Sequence, residues 1–280
     1  MSRRDYIGGS DIAAVMGVSR WKTPLQLWAE KTGAVEPEDI SQKEYVEMGH
    51  ELEETVARLF TKRTGKKVRR APKNYTSKDY EFMRCQVDRL VEGTDELLEA
   101  KTASLWKEKE WEGEEIPIEY ILQVQWQLMI TGRAVAHIAV LIGGQKFVYK
   151  QLAADFELFD KMEQAAIIFW NMVKENIAPV AQAEDNTFIV NLFPNAGNNI
   201  REASQDVTEA IAQIQLTKAE IITLEKVKKE LEAKLKAIIG DAQGIRTPEY
   251  TAKWINVKGS TYTVTKKDGR MLRITKNKGA

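Results

Sequence analysis

Three residues define the chemistry open to this chain: Asp88, Glu99 and Lys101. They lie in the stretch Gln86-Val-Asp-Arg-Leu-Val-Glu-Gly-Thr-Asp-Glu-Leu-Leu-Glu-Ala-Lys101, where Gly93-Thr-Asp95 interrupts an apolar run. The pattern predicts two short strands joined by a turn. Alternate residues of a strand share a face, so Glu99 and Lys101 project together, and a neighbouring strand can bring Asp88 beside them. Two carboxylates and an ammonium suit metal-assisted phosphodiester hydrolysis. Hard carboxylate oxygens hold Mg²⁺, which also takes water and phosphate oxygens. The ion acidifies a bound water and offsets charge in the transition state. A lysine two residues from a ligand can orient that water or stabilise the developing charge. An acid and a lysine at this spacing also form ordinary solvated surface pairs, so the rest of the chain must support the reading.

The elements that would position these residues follow from periodicity. Residues 41–64 predict a long helix with Val46, Leu52, Val56, Leu59 and Phe60 as its apolar stripe and Gly65 at its end. Glu51, Glu53 and Glu54 sit at its centre, and one turned toward the sheet could add a metal ligand. Strands are expected over 66–70, 80–85, 87–91 and 97–101. Residues 105–111 read as a short amphipathic helix or a loop, whose Trp106 and Trp111 either pack or stack on bases. Pro117 opens a helix running to Gly132. It carries Tyr120, Gln123, Gln127 and Ile130 at helical spacing, and a buried glutamine needs partners. Gln123 is the one expected to face a metal-bound water or a phosphate. A hairpin over 135–152 turns at Gly143-Gly144, and a helix over 156–173 covers the sheet.

The first thirty-three residues hold Ile7-Gly-Gly-Ser-Asp-Ile12, then Thr23-Pro24 as cap and first turn of a helix. Ser10 reads as the cap of a short helix closed by Gly17. Gly8, Gly9 and Ser10 are then either a turn and cap, or an anion seat offering free N–H groups. The fold class expected is α/β (α+β), a small mixed central sheet flanked by helices. After residue 182 the periodicity breaks over a connector, 183–202, rich in Asn. Residues 203–240 then carry Val207, Ala210, Ile214, Ile221, Leu224, Leu231, Leu235 and Ile238 at heptad a and d positions, interrupted by Thr217 and Lys228. They predict a coiled coil or a helical hairpin arm. Residues 245–276 alternate like strands, with turns at Lys258-Gly259 and Asp268-Gly269, so 241–280 are expected to form a small basic β-hairpin element.

Composition narrows the class. Of 280 residues, 43% are apolar and 29% charged, ordinary for a globular protein. No run is long enough to span a membrane, and the N-terminus lacks a secretory apolar region. Cys85 is the single cysteine, which excludes an intrachain disulfide and accords with a reducing cytoplasm. One cysteine and two histidines exclude a zinc finger. The net charge is zero, so DNA contact must come from local patches such as Lys66-Lys-Val-Arg-Arg70 or the basic tail.

Taken together, five pieces in order resemble the YqaJ-like viral recombinase family, the phage lambda exonuclease-like branch of the PD-(D/E)XK nucleases. They are Ile7-Gly-Gly-Ser-Asp-Ile12, Gly49-His-Glu-Leu-Glu53, Asp88 before an apolar strand, Glu99-Ala-Lys101, and Tyr120-Ile-Leu-Gln-Val-Gln125, within residues 5–152. The resemblance implies that residues 1–182 form a PD-(D/E)XK nuclease domain. It implies Asp88 and Glu99 as metal ligands, the Ala100 carbonyl as a third and Glu53 as helix support for the site. Lys101 becomes the catalytic lysine and Gln123 the glutamine beside the scissile phosphate. Ser10 and Arg3 become the 5′-phosphate pocket. Where the family has glycine after the first acid, this chain has Arg89, which could contact DNA instead. The implied activity is Mg²⁺-dependent exonuclease digestion of linear double-stranded DNA from 5′ to 3′, with Mn²⁺ as substitute. It would leave 3′ single strands for a phage annealing protein, and relatives form toroidal trimers. A structure- or end-specific endonuclease, or a non-catalytic coiled-coil adaptor, are the competing readings.

Overall fold

A computed structural model describes residues 2–72, 74–261, 263 and 271–275. Contacts divide the chain into two compact units, Met1–Leu192 and Phe193–Ala280.

The first unit is a mixed α/β fold. In chain order it comprises α1 (Ile12–Val15), α2 (Pro24–Thr32), α3 (Glu44–Thr64), β1 (Val68–Arg70), β2 (Tyr75–Thr76), β3 (Arg84–Cys85), β4 (Arg89–Val91), β5 (Glu96–Ala103), α4 (Ile118–Thr131), β6 (Val135–Ile142), β7 (Lys146–Ala153), α5 (Phe156–Glu175) and α6 (Asn186–Leu192). Five strands form the central sheet in the order β1-β4-β5-β6-β7. Only β5 and β6 run parallel; the other neighbours are antiparallel. A parallel pair needs a crossover, and α4 supplies it between β5 and β6.

Alternation along β5 divides the core. Leu98 joins Ala139 and Leu141 of β6 against Val56, Ala57 and Phe60 of α3. Leu97 faces the other way, into the larger cluster with Leu122, Trp126, Ile138, Val140 and Phe169. Burying Phe60 alone stabilises the sheet–α3 contact by about 2–3 kcal/mol. The side chains of Glu99 and Lys101 follow Leu97 onto the α4 side. Gly143 and Gly144 take φ of 58° and 71°, a left-handed turn that joins β6 to β7.

Several expectations need correction. Of 80–85, only Arg84–Cys85 is strand, paired with β2 in a separate two-stranded sheet, because a turn from Tyr80 to Met83 takes up the segment before it. Residues 105–111 form a 3₁₀ helix, with Trp111 buried and Trp106 exposed. The connector does not begin at 183. Residues 183–185 form a 3₁₀ turn that leads into α6, and Asp185 is buried and accepts from Thr23 Oγ1 at 2.5 Å. Thr23 thereby ties this segment to the start of α2, where it also caps Gln26 N–H.

In the second unit α7 (Gln205–Ile239) is one unbroken helix, which removes the helical-hairpin alternative. Two short strands follow, β8 (Gly244–Arg246) and β9 (Thr251–Lys253), paired antiparallel. Residues 254–261, 263 and 271–275 form no strand, so Lys258-Gly259 is not a hairpin turn. The expected turn at Asp268-Gly269 lies outside the described residues.

One buried ion pair fixes the N-terminal segment. Lys31, on α2, donates to the Arg3 and Tyr6 carbonyls and to Asp11 Oδ2, at 2.7, 2.6 and 2.8 Å. Burial opposes the charge of both partners; Lys31 and Arg3 nonetheless hold Asp11 below the usual carboxylate range. Removing Lys31 leaves the buried Asp11 charge to the more exposed Arg3 guanidinium, 3.2 Å away, and the Gly8 N–H, which compensate it less well. Lys31→Met should therefore cost about 3–5 kcal/mol in denaturant unfolding, with part recovered by adding Asp11→Asn. A cost below about 1 kcal/mol would show that the pair does not anchor this segment.

Candidate active site

The antiparallel register places Arg89 opposite Leu98 and Leu90 opposite Leu97. One step back, Asp88 comes level with Glu99, just beyond the end of β4. With no strand partner there, the Ala100 N–H donates to Asp88 Oδ2 at 2.8 Å. The N–H and C=O of one strand residue leave on the same edge, so the Ala100 carbonyl faces this same open end.

Glu99 is 3% exposed. A carboxylate this deep requires partners on both oxygens. Gln123 Nε2 donates to Oε1, and Gln127 Nε2 donates to Oε2 at 2.6 Å. Lys101 Nζ lies 2.6 Å from Oε1 and 3.1 Å from Gln123 Oε1. Gln123 and Gln127 are one helical turn apart on α4, so both amides reach one carboxylate. Lys101 also sits over the Tyr120 ring at 5.4 Å. Burial works against its ammonium, but the Glu99 and Asp88 carboxylates outweigh that and raise its pKa. Burial first, and the Glu99 charge second, push Asp88 up to about 8. Two neighbouring carboxylates, with a single ammonium bonded to Glu99, resist carrying both charges; a divalent cation would remove that conflict.

The sheet faces sort the remaining residues. Asp88, Glu99, Lys101 and Gln123 come together on the α4 side. Arg89 points to the α3 side, where it is 4% exposed and holds Glu53 and Glu54, the latter at 2.9 Å. Arg89 is therefore a buried structural cation and not a DNA contact. Glu53 and Asp88 border the same cleft of about 530 Å³, with His50 and Arg70, but the Glu53 carboxylate is taken by Arg89. Among the described residues no three acidic, histidine or cysteine side chains gather as a metal cage. The donor set at hand is two carboxylates and one backbone carbonyl, hard oxygens that fit Mg²⁺ with its remaining positions filled by water and phosphate.

A second cavity, about 90 Å³, adjoins this corner and shares Gln123 and Gln127 with it. Arg3 Nη2 donates to Ser10 Oγ at 3.0 Å, so these two residues meet as expected, and both line the cavity. Two details differ. Ser10 does not cap α1, whose first turn has no side-chain cap. The Gly8 N–H is not free for an anion, since it donates to Asp11 Oδ2 at 3.0 Å. Gly9 approaches α4 closely: a Cβ there would lie 3.3 Å from Gln123 Cγ, tighter than an ordinary contact.

Three contributors lacked an assignment in the sequence reading. Gln127 stood in the glutamine line of α4 with no role attached. The Asp11–Lys31 pair joins residues twenty apart and leaves no local pattern. Arg84 lines the phosphate-sized cavity only because Ile7 bridges to Met83 in parallel, which brings that strand beside the N-terminal loop.

Comparisons with known proteins agree with this architecture. A model of the YqaJ-like viral recombinase domain matches residues 1–134. The alkaline exonuclease LHK-Exo from Laribacter hongkongensis shares the fold, with TM-score 0.54 and 19% identity over 62% of this chain and 91% of that one. Its complex with dAMP superposes equally, at TM-score 0.54 and 20% identity, with the same coverage. YqaJ of Bacillus subtilis (strain 168) is 40% identical over 263 residues, which is 91% of this chain and 81% of that protein. On that identity and coverage, the chain belongs to the YqaJ-like viral recombinase family.

Proposed function

We propose that this chain is a divalent-metal-dependent deoxyribonuclease that degrades linear double-stranded DNA from its 5′ ends and leaves 3′ single strands. The observation that carries the reading is the meeting of Asp88, Glu99 and Lys101 on one face of the sheet. Support also comes from a protein of the same fold being an alkaline exonuclease that has been seen with dAMP.

Each side chain has a task in this scheme. Asp88 and Glu99, with the Ala100 carbonyl, would hold Mg²⁺, or Mn²⁺ in its place. The bound ion would supply an acidified water and neutralise charge on the scissile phosphate. Gln123 and Gln127 fix the Glu99 carboxylate so that its position costs no reorganisation during reaction. Lys101 holds its proton and presents an ammonium to the attacking water or to the phosphate oxygens. Gln123 touches both Glu99 and Lys101 and sets the distance between them. Arg3 and Ser10, with Arg84, would receive the terminal 5′-phosphate in the adjoining cavity. A phosphate seated there lies one glutamine away from Glu99, which suits removal of residues from a phosphorylated end. Glu53 supports the site from the α3 side through Arg89, not as a ligand. A phage single-strand annealing protein would take over the 3′ strand. A ring of three chains around the duplex would keep a chain of zero net charge on DNA.

Glu99→Ala and Lys101→Ala should each lower digestion of end-labelled linear duplex by about 10²-fold or more. The parent chain should digest linear duplex with Mg²⁺, stop with EDTA, and spare a closed circle. Undiminished digestion by either variant would refute the site assignment; cutting of the circle would favour the endonuclease reading. Arg3→Ala should leave a measurable rate but abolish the preference for a 5′-phosphorylated over a 5′-hydroxyl end. A preference retained in that variant would place the terminal phosphate elsewhere.

A further inference from the structure

The second unit offers a surface that the nuclease reading does not use. Residues 205–238 of α7 are all exposed, among them Val207, Ile214, Ile221, Leu224, Leu231, Leu235 and Ile238. A helix of 35 residues, about 52 Å long, thus presents a heptad seam that nothing described in its own unit covers. We propose that α7 is one half of an antiparallel two-stranded coiled coil whose other half is α7 of a second copy of this chain.

The polar residues of the seam select the partner and its direction. Thr217 and Lys228 break the apolar pattern at a d and an a position. In a parallel in-register pair, or any parallel in-register bundle, Lys228 would face the partner's Lys228. Glu220 at position g would also meet the partner's Glu225 at the following e, on both sides of the pair. Like charges at these positions specify against that pairing.

An antiparallel pair resolves every conflict in a single register. Setting Ile221 against the partner's Leu224 aligns Ile214 with the partner's Leu231, Ala210 with the partner's Leu235, and Val207 with the partner's Ile238. Thr217 then falls opposite the partner's Lys228, so the two polar breaks meet each other and the lysine stem packs against a small side chain. On the flanks Lys218 comes beside the partner's Glu225, and Gln213 beside the partner's Lys234, with no like charges adjacent. Sliding by one heptad sets Lys228 against the partner's Leu224 or the partner's Ala210 and removes a layer from the seam. The pairing is two-fold, so it joins chains in twos, whatever ring the first unit builds.

The test uses the full chain in two forms with one added cysteine each, Val207→Cys and Ile238→Cys, with the parent as control for the buried Cys85. Each is treated with a short bismaleimide alone and after co-expression of the two. Cross-linked dimer should appear from the co-expressed pair and be lost to the parent's background in either variant alone. Dimer from a single variant would mean parallel pairing, and dimer from none would mean that no second copy covers this face; either overturns the proposal. A second variant checks the register. Thr217→Glu places a carboxylate opposite the partner's Lys228 twice and should tighten self-association several-fold in dilution series; weaker or unchanged association contradicts it.

Discussion

The site rests on a carboxylate buried at the centre of the sheet. Glu99 can stay there because both of its oxygens have donors: two amides from α4 and the ammonium of Lys101. Desolvating a carboxylate without such donors costs far more than the packing of β5 could return. The geometry of the neighbourhood follows from that need. The α4 crossover must run over β5 with its glutamines one turn apart facing down. Gly9 lets the N-terminal loop lie close against Gln123, where a Cβ would meet Gln123 Cγ at 3.3 Å. The phosphate-sized cavity is then formed between that loop and the same two glutamines. The carboxylate corner and the adjoining cavity are in this sense one construction with shared walls.

The two-residue period of a strand explains the division of labour around Asp88. Asp88 and Arg89 are neighbours in sequence but emerge on opposite faces. Asp88 joins Glu99, and Arg89 crosses to the α3 side to hold Glu53 and Glu54. Arg89 fills the gap between sheet and helix with a guanidinium that two carboxylates neutralise. That pairing keeps Glu53 at the edge of the same cleft as Asp88. The Asp88 carboxyl, buried and beside Glu99, is left as the group most sensitive to whether a cation is present.

How much of this was legible in the sequence depended on range. The strands around Asp88 and Glu99, α3, α4 and the Gly143-Gly144 hairpin followed from local periodicity and turn chemistry, and they are present. The pairing of Glu99 with Lys101 followed from alternation alone. The place of Arg89 is not legible because sequence does not say which face of the sheet is covered by charged residues of a helix thirty-five positions earlier. The first unit runs about ten residues further than composition predicts, because Asn and Asp mark helix caps as well as loops, and only the tertiary bond to Thr23 shows that Asp185 belongs to it. Arg84 and the Lys31–Asp11 pair have no local signature at all. In α7 the reverse holds: the heptad pattern is plain in the sequence, and no packing within the second unit is needed to read it.

The central claim is that Asp88 and Glu99 jointly hold one divalent cation. With Asp88 pushed up to about 8, the carboxyl carries a proton near neutrality, and the linkage has a definite sign. The raised value means that the apo protein loses stability as pH climbs through it. A cation that needs the carboxylate must therefore expel a proton on binding below that pH. Calorimetric titration of Mn²⁺ near pH 7, in two buffers of different ionisation enthalpy, measures both events. The account predicts saturable binding with proton release in the parent, and loss of both in Asp88→Asn. Binding that survives Asp88→Asn, or that releases no proton in the parent, would contradict it.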